Sequence, residues 1–265
     1  MATSDVVFQG VLYYCFVPIL IKFLIFMLLN KYGTSIKERL ICVFWNHAMI
    51  KYHTALRDMK KAHFNSMKYH KSADLYLRNK GLLRILEIGA GSGANFEFFP
   101  PNSKLTVVEP NAFFEPHFYE RQKKSLIKVD KFLLTCAEDM KEVEDSSMDV
   151  VVSTLVLGSV RDLKQTLKEV HRVLAKGGKF YYWEHVHDVP GTWLHFVQNL
   201  LTYTIWDLIF GCHLNRNIDD VVAEDVSLFS HVYQERFEIP FSNDRWSVWK
   251  LVRVHVMGVA TKGLI

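Results

Sequence analysis

The stretch LLRILEIGAGSGANFEFF, Leu82 to Phe99, decides the architecture of this 265-residue chain. Leu83 to Ile88 is an apolar run of strand length. It breaks into three glycines at alternate positions, Gly89, Gly91 and Gly93, ahead of a helix-compatible segment. Glycine has no Cβ, so the backbone turns tightly there and a ligand can lie against it. N–H groups exposed where a helix begins favour electron-rich ligand groups. Many nucleotide-binding sheets use such a turn, and two acids sharpen it. Glu87 stands two residues before the first glycine, and a second strand, LTVVE, ends in Glu109. An acid in the latter position accepts hydrogen bonds from ribose hydroxyls.

Two cofactors compete for this site. Gly89, Gly91 and Ala94 also satisfy the dinucleotide fingerprint, with Glu109 at the spacing of its ribose acid. Glu87 argues the other way. An acid beside the glycines is unhelpful next to a pyrophosphate and suits a ligand carrying an ammonium group, as S-adenosylmethionine does. The string E-x-G-x-G-x-G, with Glu109-Pro110-Asn111 after the second strand, resembles motif I and its sequel in class I S-adenosylmethionine-dependent methyltransferases. That resemblance implies contacts to the cofactor from Glu87, Gly89, Ala90, Gly91, Gly93, Glu109, Pro110 and Asn111. It adds Ala137 and Glu138, where the family reads the adenine, and Thr154 and Leu155 at the end of the fourth strand.

The pattern beyond motif I predicts one doubly wound α/β domain with a mostly parallel, seven-stranded sheet. Lys131 to Thr135 reads as a third strand. Met148 to Thr154, MDVVVST, is a branched run suited to a strand buried on both faces. Asp162 caps a helix, with Gln165 completing a capping-box-like pair, and Leu163, Leu167, Val170 and Leu174 share a helical face. Lys176-Gly177-Gly178 stops that helix, and Lys179 to Val186 forms the next strand. Val226 to Ile239 and Val248 to Ala260 read as the last two strands, the latter alternating at Val252, Val254 and Val256.

The length suits one such domain plus an appendage of about 70 residues. The net charge of +4 is small and dispersed, with no basic, aromatic-interleaved patch for a nucleic acid. Four scattered cysteines lack CxxC spacing, which points to a reducing compartment and away from a zinc site or a disulfide framework.

The appendage opens with an overwhelmingly apolar segment of 24 residues, Val6 to Leu29, interrupted by Gln9, Pro18 and Lys22. Its length suffices to cross a hydrocarbon core of about 30 Å; Pro18 and Lys22 leave open a bent insertion into one leaflet. Lys31, Lys37 and Arg39 follow it, a bias that places the catalytic side in the cytosol. Residues 1–34 are thus expected to form a membrane anchor, 35–80 an amphipathic, lid-like helical region and 81–265 the catalytic domain. Within Ile36 to Ile50, the apolar Leu40, Val43, Phe44 and Ile50 can share a face; an interfacial helix and a helix packed on the domain both satisfy that pattern. The pair Lys60-Lys61 reads as a solvated face.

Four strings narrow the resemblance. Motif I runs on as G-A-N-F-E-F-F-P-P, strand four as D-V-V-V-S-T-L-V-L-G-S-V, and strand five ends in W-E-H-V. Trp206 to Arg216 reads W-D-L-I-F-G-C-H-L-N-R. With the apolar N-terminus they resemble the membrane-anchored thiol S-methyltransferases, with Asn215 where threonine is usual. The resemblance implies methyl transfer from S-adenosylmethionine to a small apolar thiol, in contact with lipid, on endoplasmic reticulum membranes or lipid droplets. A lipid, quinone or amine acceptor suits the anchor equally, and a non-catalytic membrane protein with a lapsed site is the third reading. Because thiolate is the nucleophile, a base near the acceptor would help. His185, at the end of strand five, is the candidate, with Glu184 either orienting it or acting as the base. Cys212 reads as a buried, inert thiol, and Trp193, Trp206 and Phe210 as pocket wall or core.

Overall fold

The computed structural model describes residues 34–224, 227–240 and 248–264. The apolar segment Val6 to Leu29 lies outside them. Among the described residues no helix is long and apolar enough to cross a membrane.

The chain enters through α1, a helix of 31 residues (Thr34–Phe64), whose last turn carries Lys61 and His63 against the negative end of the helix dipole. A 3-10 turn (Asn65–Tyr69) and a short α2 (Leu75–Asn79) follow. The α/β core then runs β1 (Leu83–Ile88), β2 (Ser103–Val108), α3 (Glu115–Gln122), β3 (Lys128–Leu133), β4 (Met148–Thr154), α4 (Leu163–Val173) and β5 (Leu174–His185). Helix α5 (Trp193–Leu201) continues through a π-helical turn (Thr202–Trp206) into α6 (Asp207–Phe210). After α7 (Ile218–Glu224) come β6 (His231–Glu238) and β7 (Val254–Thr261).

Seven strands form one sheet in the order β3-β2-β1-β4-β5-β7-β6. The first five run parallel, and β7 is antiparallel to both its neighbours. Successive strand residues face opposite sides, so Val151 joins Leu86, Leu167 and Phe180 on one face while Val150 and Val152 join Ile85, Val107 and Phe64 on the other. From β1 the chain goes to β2 on one side, and later to β4 on the other. That reversal leaves a crevice at the carboxyl ends of β1 and β4, where open α/β sheets bind ligands.

β1 and β4 have the bounds the apolar pattern predicts, and the other segments differ. β2 runs Ser103–Val108, so Glu109 lies just past its end rather than within it. β3 begins at Lys128 and ends at Leu133: it is an edge strand with Lys128, Asp130 and Lys131 exposed, so hydrophobicity marks it poorly. Leu174 is extended and already pairs with Met148, so α4 ends one residue earlier. Lys176-Gly177-Gly178 sits inside an irregular stretch of β5, with Gly177 at φ +73°, rather than ending a helix. Val248–Val252 is a 3-10 turn, and β7 starts only at Val254, where pairing with β5 and β6 begins. β6 is confined to His231–Glu238 for the same reason, while Val226 lies outside the described residues. The Asp162 cap forms, its carboxylate accepting from the Gln165 backbone N–H at 3.0 Å.

Candidate active site

The glycine turn after β1 divides its labour. All three glycines have positive φ (Gly89 +61°, Gly91 +52°, Gly93 +77°). A Cβ on Gly89 would lie 2.4 Å from Val156, and one on Gly93 2.2 Å from Phe96, so both are packed against protein. A Cβ on Gly91 would meet nothing nearer than Phe114 at 3.9 Å; the space above it is open to the cavity. The Gly91 N–H donates to Glu109 Oε2 and the Asn111 N–H to Oε1, both at 3.0 Å. Glu109 is therefore fixed at the wall with one backbone donor per oxygen, leaving each oxygen a second lone pair for a hydroxyl. Burial pushes its carboxyl up, and those two N–H groups oppose the push.

Helix α1 roofs this corner. Asn111 Nδ2 donates to the Glu38 carbonyl at 2.9 Å, and Cys42 Sγ to the Phe113 carbonyl at 3.4 Å. Farther along α1, Lys60 is fully buried while Lys61 is exposed, which corrects the reading of this pair as a solvated face. Lys60 Nζ donates to Asn95 Oδ1 at 2.7 Å; Asn95 Nδ2 donates to Glu87 Oε1 at 2.7 Å and to Thr154 Oγ1 at 3.0 Å. Burial pulls the Lys60 ammonium down to about 7 and pushes Glu87 up to about 7. Glu87 thus sits beneath the turn, with Oε2 unpartnered, and does not line the cavity. Asn95 and Lys60 join the site through these bonds, and neither was among the residues expected there. Asn95 lay inside the quoted motif, whereas Lys60 is joined to it across 35 residues.

The cavity beside this turn has a volume of about 690 Å³. Gly89, Ala90, Gly91, Glu109, Pro110, Asn111, Thr154 and Leu155 line one half. Leu155 holds a left-handed φ of +59°, a strained conformation kept in place by its N–H bond to the Trp183 carbonyl at 2.9 Å. Ala137 and Glu138 do not line it: Ala137 is buried in the sheet's core, and Glu138 accepts from the Arg161 and Asp162 N–H groups. His185 does line the cavity. Burial and Arg216 pull its imidazole down to about 4, Nδ1 has no partner, and Nε2 sits where a Cβ on Gly158 would lie 2.8 Å away.

Glu184 points away from His185, as alternation along a strand requires. Its carboxylate accepts from Ser153 Oγ (2.6 Å) and from the Val156 (3.2 Å) and Leu157 (3.1 Å) N–H groups. It fastens the loop after β4 and touches neither the imidazole nor the cavity.

The second half of the cavity is aromatic. Trp45, Tyr52, Trp206, Phe210, Trp249 and His255 close it. His255 faces His185 at 6.5 Å between rings, and Tyr52 stacks on Trp249 at 5.6 Å while its hydroxyl accepts from Trp183 Nε1 at 2.6 Å. The W-D-L-I-F-G-C-H-L-N-R string folds back on itself here. Trp206 Nε1 donates to Cys212 Sγ at 3.2 Å, Gly211 ends α6 at φ +66°, and Arg216 donates to the Leu157 and Val160 carbonyls. Asn215 donates to Asn199 Oδ1 at 2.7 Å, so the departure from threonine is accommodated by a neighbour. Burial pushes the Cys212 thiol up to about 11, which keeps it protonated and unreactive. Trp193, expected in a pocket wall or core, is instead 76% exposed.

Comparisons with known proteins bear on this geometry. A family described as Methyltransferase domain matches residues 86–182. Thiol S-methyltransferase TMT1A of Homo sapiens is 39% identical over 184 residues, covering 69% of this chain and 72% of that protein. Thiol S-methyltransferase TMT1B of Rattus norvegicus is 39% identical over 179 residues, covering 67% and 70%. Among solved structures, an S-adenosylmethionine-dependent methyltransferase of Thermotoga maritima, titled a possible histamine N-methyltransferase, superposes with a TM-score of 0.54. It is 16% identical and covers 84% of this chain and 98% of its own. A Haemonchus contortus methyltransferase in complex with S-adenosylhomocysteine gives a TM-score of 0.53 at 14% identity, covering 76% and 52%. At such identities these two structures show the fold.

Proposed function

This chain belongs to the thiol S-methyltransferase family, and from that premise we propose that its acceptor is a small apolar alkyl thiol, methylated on sulfur at a membrane surface. It is an S-adenosylmethionine-dependent methyltransferase. The observation that carries the choice of acceptor is the juxtaposition in one cavity of a hydroxyl-reading corner, Gly91 and Glu109, with an aromatic chamber whose two facing histidines, His185 and His255, burial keeps neutral at pH 7. Such a chamber suits a neutral, lipophilic substrate and disfavours a charged amine.

S-adenosylmethionine supplies an activated methyl on a sulfonium, so the protein must chiefly align donor and acceptor. Glu109 would hold the ribose hydroxyls, with Gly89, Ala90, Gly91, Pro110 and Asn111 around them. Lys60 and Asn95 keep Glu87 in place beneath the glycine turn, and Gly93 is packed on Phe96. Thr154 and Leu155 would meet the cofactor from the end of β4, whereas Ala137 and Glu138 lie outside the cavity and take no part in holding it. The acceptor's S–H faces His185, whose neutral ring accepts its hydrogen bond and its proton as the sulfur lone pair forms the new S–C bond. The donor's C–S bond breaks in the same step and S-adenosylhomocysteine leaves. Glu184 acts through the loop after β4, as a positioning residue.

Membrane attachment through residues 1–34, a lid formed by 35–80 and a site on endoplasmic reticulum membranes or lipid droplets, facing the cytosol, complete the proposal. They are supported by the apolar run Val6 to Leu29 and the basic residues after it. The test is a screen with the full chain, labelled S-adenosylmethionine and a panel of alkyl thiols, amines, phenols and quinones. Label on the thiols is the expected result. Label on amines or quinones alone overturns the acceptor.

A further inference from the structure

Helix α5 and the turn after it wear their polarity inside out. Trp193, Phe196, Leu200 and Tyr203 recur at spacings of three and four along one face and are 76%, 54%, 52% and 73% exposed. The opposite face buries polar groups. Gln198 is fully buried, accepting from the Asp188 N–H and donating to the Leu251 carbonyl, both at 2.8 Å, and Thr202 Oγ1 accepts from the Leu214 N–H at 3.1 Å. The polar face is thereby fixed inward, and the outward apolar row is a built feature. A second row lies on α1: Ile36, Leu40, Val43 and Ile50 are all exposed, and Phe44 beside them meets Phe210 of α6 at 5.0 Å. Phe44 and Phe210 also line the cavity, so the α1 row reaches it beside α6, the helix into which α5 continues.

We propose that these two rows form one lipid-docking surface, and that the apolar acceptor enters the cavity from the bilayer at the Phe44–Phe210 seam. This deepens the thiol-methylation reading and rests on it. Three observations select lipid as the occupant. An exposed apolar surface of this extent marks an interaction site, and its row on α5 carries Trp193 and Tyr203, side chains that favour the membrane–water boundary. Between Ile36 and Lys51 the charges are Lys37, Arg39 and Lys51 against the single acid Glu38, which complements anionic headgroups. The surface also begins, in sequence, a few residues after the apolar run Val6 to Leu29 ends.

The test uses the full chain in phosphatidylcholine–phosphatidylserine vesicles, with and without bromine on the acyl chains. Bromolipid should quench the parent's emission more than that of Trp193→Phe, the difference being the contribution of Trp193. Identical quenching of the two overturns the docking surface, as does quenching of Trp193 by a soluble bromide salt that is undiminished when unbrominated vesicles are added, since either places Trp193 away from lipid. A Phe196→Glu/Leu200→Glu variant, checked by circular dichroism and S-adenosylmethionine titration, gives the second readout. Its KM for a long-chain alkyl thiol should rise about tenfold, with kcat and the KM of a short, water-soluble thiol unchanged. An equal change for both thiols, or for neither, overturns entry from the bilayer. If the parent methylates neither thiol, the acceptor reading fails by itself and the quenching still decides the docking surface.

Discussion

The two halves of the cavity are made by different means. The half that holds Glu109 is made of backbone: positive-φ glycines, N–H groups aimed at a carboxylate, and strand ends aligned by the sheet. The half that holds His185 and His255 is made of side chains from α1, β5, α6 and β7, brought together only by folding. A backbone site tolerates few alternatives at each position. A side-chain chamber can be reshaped residue by residue, which suits the half that must choose an acceptor.

Substitutions can break that contrast, and the largest effect is expected in the chamber. His185→Ala should lower turnover on an alkyl thiol by roughly 10²-fold, within the range for a proton acceptor, with S-adenosylmethionine affinity nearly unchanged. The deficit should shrink as pH approaches the thiol's own pKa, where the substrate ionises unaided. A deficit constant across pH would give His185 an orienting role. In the backbone half, Glu109→Ala should cost S-adenosylmethionine binding about 2–3 kcal/mol, as for a lost charged hydrogen-bond partner; equal affinity by titration calorimetry would remove Glu109 from the ribose.

The glycines sharpen the comparison further. Gly89→Ala must bear roughly 1–2 kcal/mol of left-handed strain plus the collision with Val156, so both thermal midpoint and cofactor affinity should fall. Gly91→Ala carries the strain alone and fills the ligand's space, so its affinity should fall while its midpoint drops less. A reversed order of midpoints would show that Gly91, not Gly89, is the packed position.

The last effect is a pH slope. Burial pulls His255 to about 3, below its ordinary 6.5. Below pH 6.5 the unfolded chain binds a proton that the folded one refuses, so stability falls on acidification by up to about 1.4 kcal/mol per pH unit down to pH 3. His255→Gln should flatten the denaturation midpoint between pH 6.5 and 5 relative to the parent. Parallel curves would mean that the folded chamber admits the proton.

Legibility followed the same division. β1, β4 and the motif-I glycines were readable because their chemistry is local, a branched run followed by residues that turn. Lys60, Asn95, Tyr52 and His255 were not, because their meaning is a contact: Lys60 reaches Asn95 across 35 residues and Trp183 reaches Tyr52 across 131. Glu184 and Glu138 were legible as acids but not as loop fasteners, since sequence does not say which way a carboxylate turns. Trp193 misled for a related reason. Helical spacing shows that residues share a face but not which face is wet, and here the buried Gln198 decided it.

Helix α1 carries one more consequence. Its inward column, Tyr52, Leu56, Lys60 and Phe64, is fully buried and runs from the aromatic chamber to the support of motif I. One rigid element thus serves both reactants, and no position in that column can be tuned for the acceptor without disturbing the donor. Diversification, natural or engineered, is therefore channelled elsewhere, to Trp206, Phe210, Cys212, Trp249 and Val252, which line the chamber from outside that column.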